Sequence, residues 1–356
     1  MSETILEVQK LKKYFPIKGG ILNQTTAEVQ AVDVIDFVVA KGETLGIVGE
    51  SGCGKSTTAR LLMQLIKHDD GEIIFDGYAV GKSSGITTRE MRKRMQMVFQ
   101  DSYSSLNPRL PVESSIAFGP IVHGVKKSAA QKKARDLLIK VGLNPDLFSR
   151  RYPHELSGGQ RQRVNIARAL ALEPEVLILD EAVSALDKSV EAQVLNLLMD
   201  LKAEFKLTFI FISHDLNVVH YISDRVLVMY LGRVVEIGDV SAVYNYPKHP
   251  YTRALISAMP SMDPKKRTEA VPLVGDPPNP ISPPSGCRFR TRCPFSEDIC
   301  AIKEPILIYT DLKKRQSSAC HMGDPDSGHS RTNLNGLSLI HISEPTRLLS
   351  ISYAVV

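Results

Sequence analysis

Between a β-branched, apolar run at Thr44 to Val48 and an apolar-spaced stretch that begins Lys55-Ser56-Thr57 lies Gly49-Glu50-Ser51-Gly52-Cys53-Gly54-Lys55-Ser56. It fits the pattern G-x-x-x-x-G-K-[ST]. Glycines let the chain curl with its N–H groups turned inward around anionic oxygens, because no Cβ blocks the approach. Lys55 is then placed to reach the β and γ phosphates, Ser56 to ligate Mg²⁺, and Thr57 to add a hydroxyl nearby. A second stretch, Val176-Leu177-Ile178-Leu179-Asp180-Glu181, reads as a buried strand. It delivers two carboxylates at its carboxyl end, where open α/β sheets place ligands. Asp180 is expected to hold Mg²⁺, directly or through water, and Glu181 to polarise an attacking water. Alone, a Gly-rich turn or an apolar strand ending in acids is commonplace. Together they supply a phosphate and the metal that bridges it.

The elements that must position these groups follow from the punctuation. Residues 1–100 read as strand-rich, with turns at Lys41-Gly42, Asp69-Asp70-Gly71 and Asp76-Gly77, the last two closing a hairpin around Glu72 to Phe75. Residues 101–165 are mostly helical in pattern, and residues 166–245 alternate helix and strand, which implies mostly parallel pairing. The core is thus split in sequence around a helical insert. The whole reads as α/β.

Composition narrows the function classes. A chain of 356 residues can bury one large core plus an appendage rather than two equal enzymes. The formal charge of +5 is mild, with 44 basic and 39 acidic side chains. Its basic runs, such as Arg89 to Arg94, read as solvated helix faces, so no nucleic-acid partner is expected. No stretch reaches the roughly twenty apolar residues that cross a bilayer, and Met1-Ser2-Glu3 opens no signal peptide.

With Leu156-Ser157-Gly158-Gly159-Gln160 added to these motifs, the chain resembles an ATP-binding cassette (ABC) ATPase, whose P-loop core carries an antiparallel β subdomain and a helical subdomain. The resemblance makes Gly49, Ser51, Gly52, Gly54, Lys55, Ser56 and Thr57 the nucleotide loop. It makes Ser157, Gly158, Gly159 and Gln160 the signature that caps the γ-phosphate bound by an opposite protomer. Gln100, after Met97-Val98-Phe99, matches the loop that senses Mg²⁺ and the membrane partner. Asp187, in Ser184-Ala185-Leu186-Asp187, matches the D-loop, and His214 the switch histidine. Tyr14 stands where the adenine-stacking aromatic is found, with Phe15 as the alternative. Ala182 departs from the Pro that many relatives carry after the glutamate, but both carboxylates remain.

After Gly238 the character changes. Pro272, Pro277, Pro278, Pro280, Pro283 and Pro284 exclude a regular helix or central strand, and the stretch reads as an ordered or semi-ordered arm. Four of the five cysteines follow: Cys287, Cys293, Cys300 and Cys320. Without an export signal such clustering favours metal over disulfides, either zinc or iron-sulfur, with unligated thiols as the alternative. A metal cluster held by these cysteines is expected to lie outside the ATP site.

Gly275-Asp276-Pro277-Pro278, Pro283-Pro284-Ser285-Gly286-Cys287, Arg292-Cys293-Pro294, His249-Pro250-Tyr251-Thr252 and Ser105-Leu106-Asn107-Pro108-Arg109 resemble the oligopeptide and dipeptide importer ATPases. There the four cysteines are associated with a [4Fe-4S] cluster, which assigns residues 246–330 to a C-terminal extension. Within the tail at 331–356, residues 337–356 match no part of that family. They look like translated adapter or vector sequence and are set aside. The resemblance implies an ATPase energising import of short peptides, peripheral at the cytoplasmic face of the inner membrane. It implies ATP and Mg²⁺ as cofactors, a second and paralogous ABC subunit, two membrane permeases and an extracytoplasmic peptide-binding protein. The alternative is a soluble ABC ATPase acting on nucleic acid or ribosomes.

Overall fold

The computed structural model describes residues 3–19, 24–259, 275–311 and 315–332. Pro272 and the tail from 333 onward lie outside the described residues.

Short apolar runs build the central sheet: β3 (Thr44–Val48), β6 (Met95–Val98), β7 (Val176–Asp180), β8 (Thr208–Ile212) and β9 (Arg225–Tyr230) pair in parallel in the order β6-β7-β8-β3-β9. Every residue of β3, β7 and β8 is buried, as strands covered on both faces require. The two-residue period divides the faces. Leu177, Leu179, Phe209 and Phe211 join one apolar cluster, while Ile178, Ile210, Ile212, Leu45 and Ile47 join the other.

Helices cover the first face. They include α3 (Val112–Val122), α4 (Lys127–Lys140) and α6 (Gly158–Leu170), with the short α5 (Pro145–Phe148) between the last two. Their buried Ile116, Ala134, Leu138, Val164 and Ala167 share the cluster with α7 (Lys188–Phe205) and α8 (Leu216–Ile222). The other face meets α1 (Lys55–Leu62), α2 (Thr88–Arg94) and an antiparallel sheet, ordered β2-β1-β4-β5, of β1 (Thr4–Gly19), β2 (Gln24–Ala40), β4 (Asp70–Phe75) and β5 (Tyr78–Ala79). The fold is therefore a P-loop α/β core with an antiparallel β unit on one side and helices on the other.

One sequence expectation needs correction. The hairpin turns at Asp76-Gly77, both in the left-handed region that a tight two-residue turn demands, and joins β4 to β5. Asp69-Asp70-Gly71 closes no hairpin. Gly71 lies inside β4 at φ +91°, where a Cβ would come within 2.4 Å of the Lys10 carbonyl.

The C-terminal part is built into the central sheet. After β10 (Arg233–Asp239), α9 (Val240–Asn245), α10 (Pro250–Ser257) and α11 (Asp298–Ile302), the chain adds β11 (Ile308–Asp311) and β12 (Gln316–Ser318) to the central sheet in the order β11-β12-β10-β9. β12 pairs Ser318 with Glu236, and Phe289 and Tyr251 belong to the main core. A three-residue polar strand carries no periodic signal, but it pairs a sheet edge that would otherwise stay open.

One buried carboxylate ties the three parts. Asp33 on β2 accepts from the Tyr14 hydroxyl at 2.7 Å, from Arg233 of β10 at 2.6 and 2.9 Å, and from Arg288 of the C-terminal extension. Burial pushes this carboxyl up, but Tyr14 and the two guanidinium groups outweigh it and hold it below the usual carboxylate range. Because the folded value is depressed, its stabilisation is complete above the unfolded value of about 3.9 and is lost as pH falls through the folded one. Asp33→Asn is expected to cost about 3 kcal/mol at pH 7, because two arginines lose their counter-charge. In urea titrations run downward from pH 7, the gap between wild type and variant should shrink on acidification. A gap that widened would contradict this assignment.

Candidate nucleotide-binding site

The loop between β3 and α1 has its shape imposed from both ends. Gly49, Gly52 and Gly54 have φ of +149°, +78° and +108°. A Cβ on Gly49 would meet the Met229 carbonyl oxygen at 2.2 Å, and one on Gly54 the Ala31 carbonyl oxygen at 2.3 Å. No other residue fits there. Lys55 is buried, its ammonium donating to the carbonyls of Gly49 at 2.7 Å and Glu50 at 3.0 Å. Ser51 and Gly52 are exposed, and Ser56 and Thr57 half-buried, at the mouth of the loop.

Across from the loop, the Ser56 hydroxyl donates to Asp180 at 2.9 Å. Burial raises the Asp180 carboxyl above its ordinary value, an effect that the Ser56 hydroxyl partly offsets. A divalent cation would reverse this by favouring the carboxylate. Glu181 follows at φ +47°, a conformation unfavourable for a side chain of this kind and found preferentially at functional sites. Its Oε2 accepts from Gln100 Nε2 at 2.8 Å and lies 3.4 Å from His214 Nδ1. Because β6, β7 and β8 are adjacent and parallel, the residues just past their carboxyl ends converge. Gln100, Glu181 and His214 thus meet at one oxygen atom.

The remaining sequence candidates are distributed around this centre. Ser157 caps α6 in a reciprocal pair with Gln160, the Gln160 N–H donating to the hydroxyl at 3.3 Å and the Ser157 N–H to Oε1 at 3.0 Å. Ser157 is exposed. Gly158 and Gly159 pack on Leu186 and Val190, and a Cβ on Gly159 would meet Val190 at 2.5 Å. Asp187 is exposed at the start of α7 and makes no side-chain cap bond. Tyr14 pairs with Gln30, beside the Ala31 that touches Gly54. Its hydroxyl is committed to Asp33 and, through burial and that neighbour, pushed up to about 12. Phe15 is exposed.

Sequence reasoning missed a set of contacts from the C-terminal extension. Arg292 holds both carboxylate oxygens of Glu50, at 2.8 and 3.0 Å, and the Tyr251 hydroxyl accepts from the Glu50 N–H at 2.8 Å. The extension therefore reaches the nucleotide loop of its own chain. Neither a glutamate at a variable motif position nor an arginine in a basic stretch signals its partner. The nearby Cys287, Cys293, Cys300 and Cys320 line one cavity with His249, Phe289 and His321. Burial pushes the Cys287 thiol up to about 12 and that of Cys320 to about 11, and raises Cys293 as well. Among the described residues, no three His, Cys, Asp or Glu side chains are grouped to hold a single metal ion.

Comparison with known proteins agrees with this geometry. Residues 32–184 match the family "ABC transporter" and residues 235–300 the "Oligopeptide/dipeptide transporter, C-terminal region". The chain is 50% identical over 327 residues to a probable peptide ABC transporter ATP-binding protein, y4tS, of Sinorhizobium fredii, covering 91% of this chain and 92% of the other. It is 49% identical to the oligopeptide transport ATP-binding protein AppF of Bacillus subtilis, covering 90% and 98%. Among solved structures, the dimeric ATP-binding cassette MJ0796, in a post-hydrolysis state with ADP and Pi, superposes with a TM-score of 0.57 at 26% identity, over 66% of this chain and 99% of that one.

Proposed function

This chain belongs to the ABC transporter ATP-binding proteins of the oligopeptide and dipeptide family, and from that membership we propose that it is the ATP-hydrolysing subunit of an importer of short peptides. The observation that carries the reading is the convergence of Gln100, Glu181 and His214 beside the Ser56–Asp180 pair and the Lys55 loop. Lys55 and the loop N–H groups bind the β and γ phosphates, and Ser56, Asp180 and Gln100 surround Mg²⁺. A Mg²⁺ ion held by those three side chains would supply charge neutralisation to the phosphates. Glu181 accepts the proton of the attacking water, and His214, 3.4 Å from the Glu181 carboxylate, serves as the switch histidine. Tyr14 stacks on the adenine.

Residues 101–165 form the helical signature subdomain, set into a core made of 1–100 and 166–245. Ser157 is exposed at the start of α6, which suits a γ-phosphate bound by an opposite chain; Gly158, Gly159, Gln160 and Asp187 complete that face. A second cassette, a paralogue, supplies the reciprocal half. Two permease subunits dock near residues 100–112, a reading supported by the exposure of Phe99, Tyr103, Phe118 and Val122. Among the described residues no helix is long and apolar enough to cross a membrane. The family match carries the reading of a peripheral subunit at the cytoplasmic face, with an extracytoplasmic binding protein delivering the peptide. The match of residues 235–300 to a transporter-specific region favours this over a soluble ABC ATPase acting on nucleic acid or ribosomes.

The family resemblance carries the proposal of a [4Fe-4S] cluster on Cys287, Cys293, Cys300 and Cys320. They line one cavity, although among the described residues no three His, Cys, Asp or Glu side chains are grouped to hold a metal ion. The raised thiols would each have to lose a proton on ligation. Anaerobically purified chain should then be brown and contain about four irons. Colourless protein without iron would remove the cluster from this account.

For the ATPase itself, Glu181→Gln should keep ATP binding while turnover of the assembled transporter drops by about 10² to 10⁴, the usual loss with a general base. Unchanged turnover would sink the assignment of Glu181.

A further inference from the structure

Glu50 is the first variable residue of the G-x-x-x-x-G-K-[ST] loop, and nothing in that motif gives it work. In the fold it is held at both its backbone and its side chain by the C-terminal extension. The Tyr251 hydroxyl, on a fully buried ring, accepts its N–H across 201 residues of sequence, and Arg292 grips its carboxylate across 242. The Arg292 side chain is 5% exposed and that of Glu50 24%, so this fork-to-fork pair is shielded from the solvent that weakens surface ion pairs.

We infer that Arg292 and Tyr251 are positioning residues of the phosphate loop, acting through Glu50, so that the C-terminal extension completes the nucleotide site of its own chain.

Three further features support this. The Glu50 carbonyl is one of the two that receive the Lys55 ammonium, so fixing Glu50 fixes the lysine's resting partner. Arg292 is itself seated: it reaches the Tyr230 hydroxyl at 3.4 Å, and Tyr230 packs in one aromatic cluster with Tyr251 and Phe289, ring centroids 4.6 and 5.3 Å away. Arg288, four positions earlier on the same loop, donates to the Leu231 carbonyl, to Gln30 at 2.6 Å and to Asp33. Those contacts brace the β2 segment whose Ala31 carbonyl abuts Gly54. One arginine-bearing loop thus secures the start of the phosphate loop directly and its end through β2.

There is also an electrostatic consequence. An unpaired carboxylate at Glu50 would stand beside the polyphosphate as a like charge, and Arg292 removes that repulsion. Losing Arg292 therefore both loosens the loop and exposes an anion. Both effects weaken binding of nucleotide more than they slow the chemistry once nucleotide is bound.

The inference rests on this loop binding ATP, which saturable binding of a fluorescent ATP analogue with Mg²⁺ to the wild-type chain tests separately. Arg292→Gln should weaken that binding about tenfold and raise the KM for ATP alike, with kcat within about twofold of wild type. In a double-mutant cycle, Glu50→Gln should absorb the effect, the double variant binding no worse than Arg292→Gln alone. Arg292→Lys should restore part of the affinity, because the charge returns without the fork. Tyr251→Phe, which deletes one hydroxyl and keeps the ring, should weaken binding about fivefold and serves as the test if Arg292→Gln does not fold. Wild-type affinity in Arg292→Gln or, failing that, in Tyr251→Phe would overturn the proposal and leave the contact as packing. So would losses that simply add in the cycle.

Discussion

The nucleotide loop has no room at its ends. With the Met229 carbonyl 2.2 Å from where a Gly49 Cβ would stand, and the Ala31 carbonyl 2.3 Å from one on Gly54, the loop is clamped between β9 of the central sheet and β2 of the antiparallel sheet. Everything the site does depends on that clamp, because N–H groups bind phosphate only while the backbone holds their directions. The clamp in turn requires the two sheets to keep a fixed relation. Asp33, buried between Tyr14, Arg233 and Arg288, supplies much of it by joining β1, β2, β10 and the extension at one carboxylate.

The catalytic side is built differently. Its groups lie at the carboxyl ends of neighbouring parallel strands, so adjacency in the sheet, rather than in sequence, brings Gln100, Glu181 and His214 to one oxygen. Glu181 reaches that point in a left-handed backbone conformation, held by its N–H donating to the Ile212 carbonyl at 2.9 Å. The sheet that fixes the convergence thereby also sustains the strain. Ser157 and Asp187 are exposed at the starts of α6 and α7.

Legibility in the sequence tracked how local the physics is. The phosphate loop and the β7 carboxylates were readable because each needs particular residue types at fixed short spacings, whereas Ser157 to Gln160 entered by family resemblance and their cap emerged only in the fold. The identities of Gln100 and His214 came from family resemblance, since a glutamine or histidine after a strand has no chemistry of its own until the sheet assembles. Gly71 was misread as a turn because a glycine that admits a neighbouring strand looks the same in sequence as one that reverses the chain. The contacts of Glu50 with Tyr251 and Arg292, and the addition of β11 and β12 to the sheet, were invisible. They join ordinary polar residues across most of the chain, with no periodicity to mark either partner.

The central claim is that residues 49–56, held in this geometry, cradle the phosphates of ATP with the metal between Ser56 and Asp180. A structure of the chain with Mg²⁺ and a non-hydrolysable ATP analogue tests it most directly. The account predicts the β and γ phosphates within hydrogen-bond reach of the loop N–H groups and Lys55, the cation against Ser56 and Asp180, and Arg292 still on Glu50. Phosphates bound elsewhere, or a loop that abandons the Arg292 contact to receive them, would contradict it.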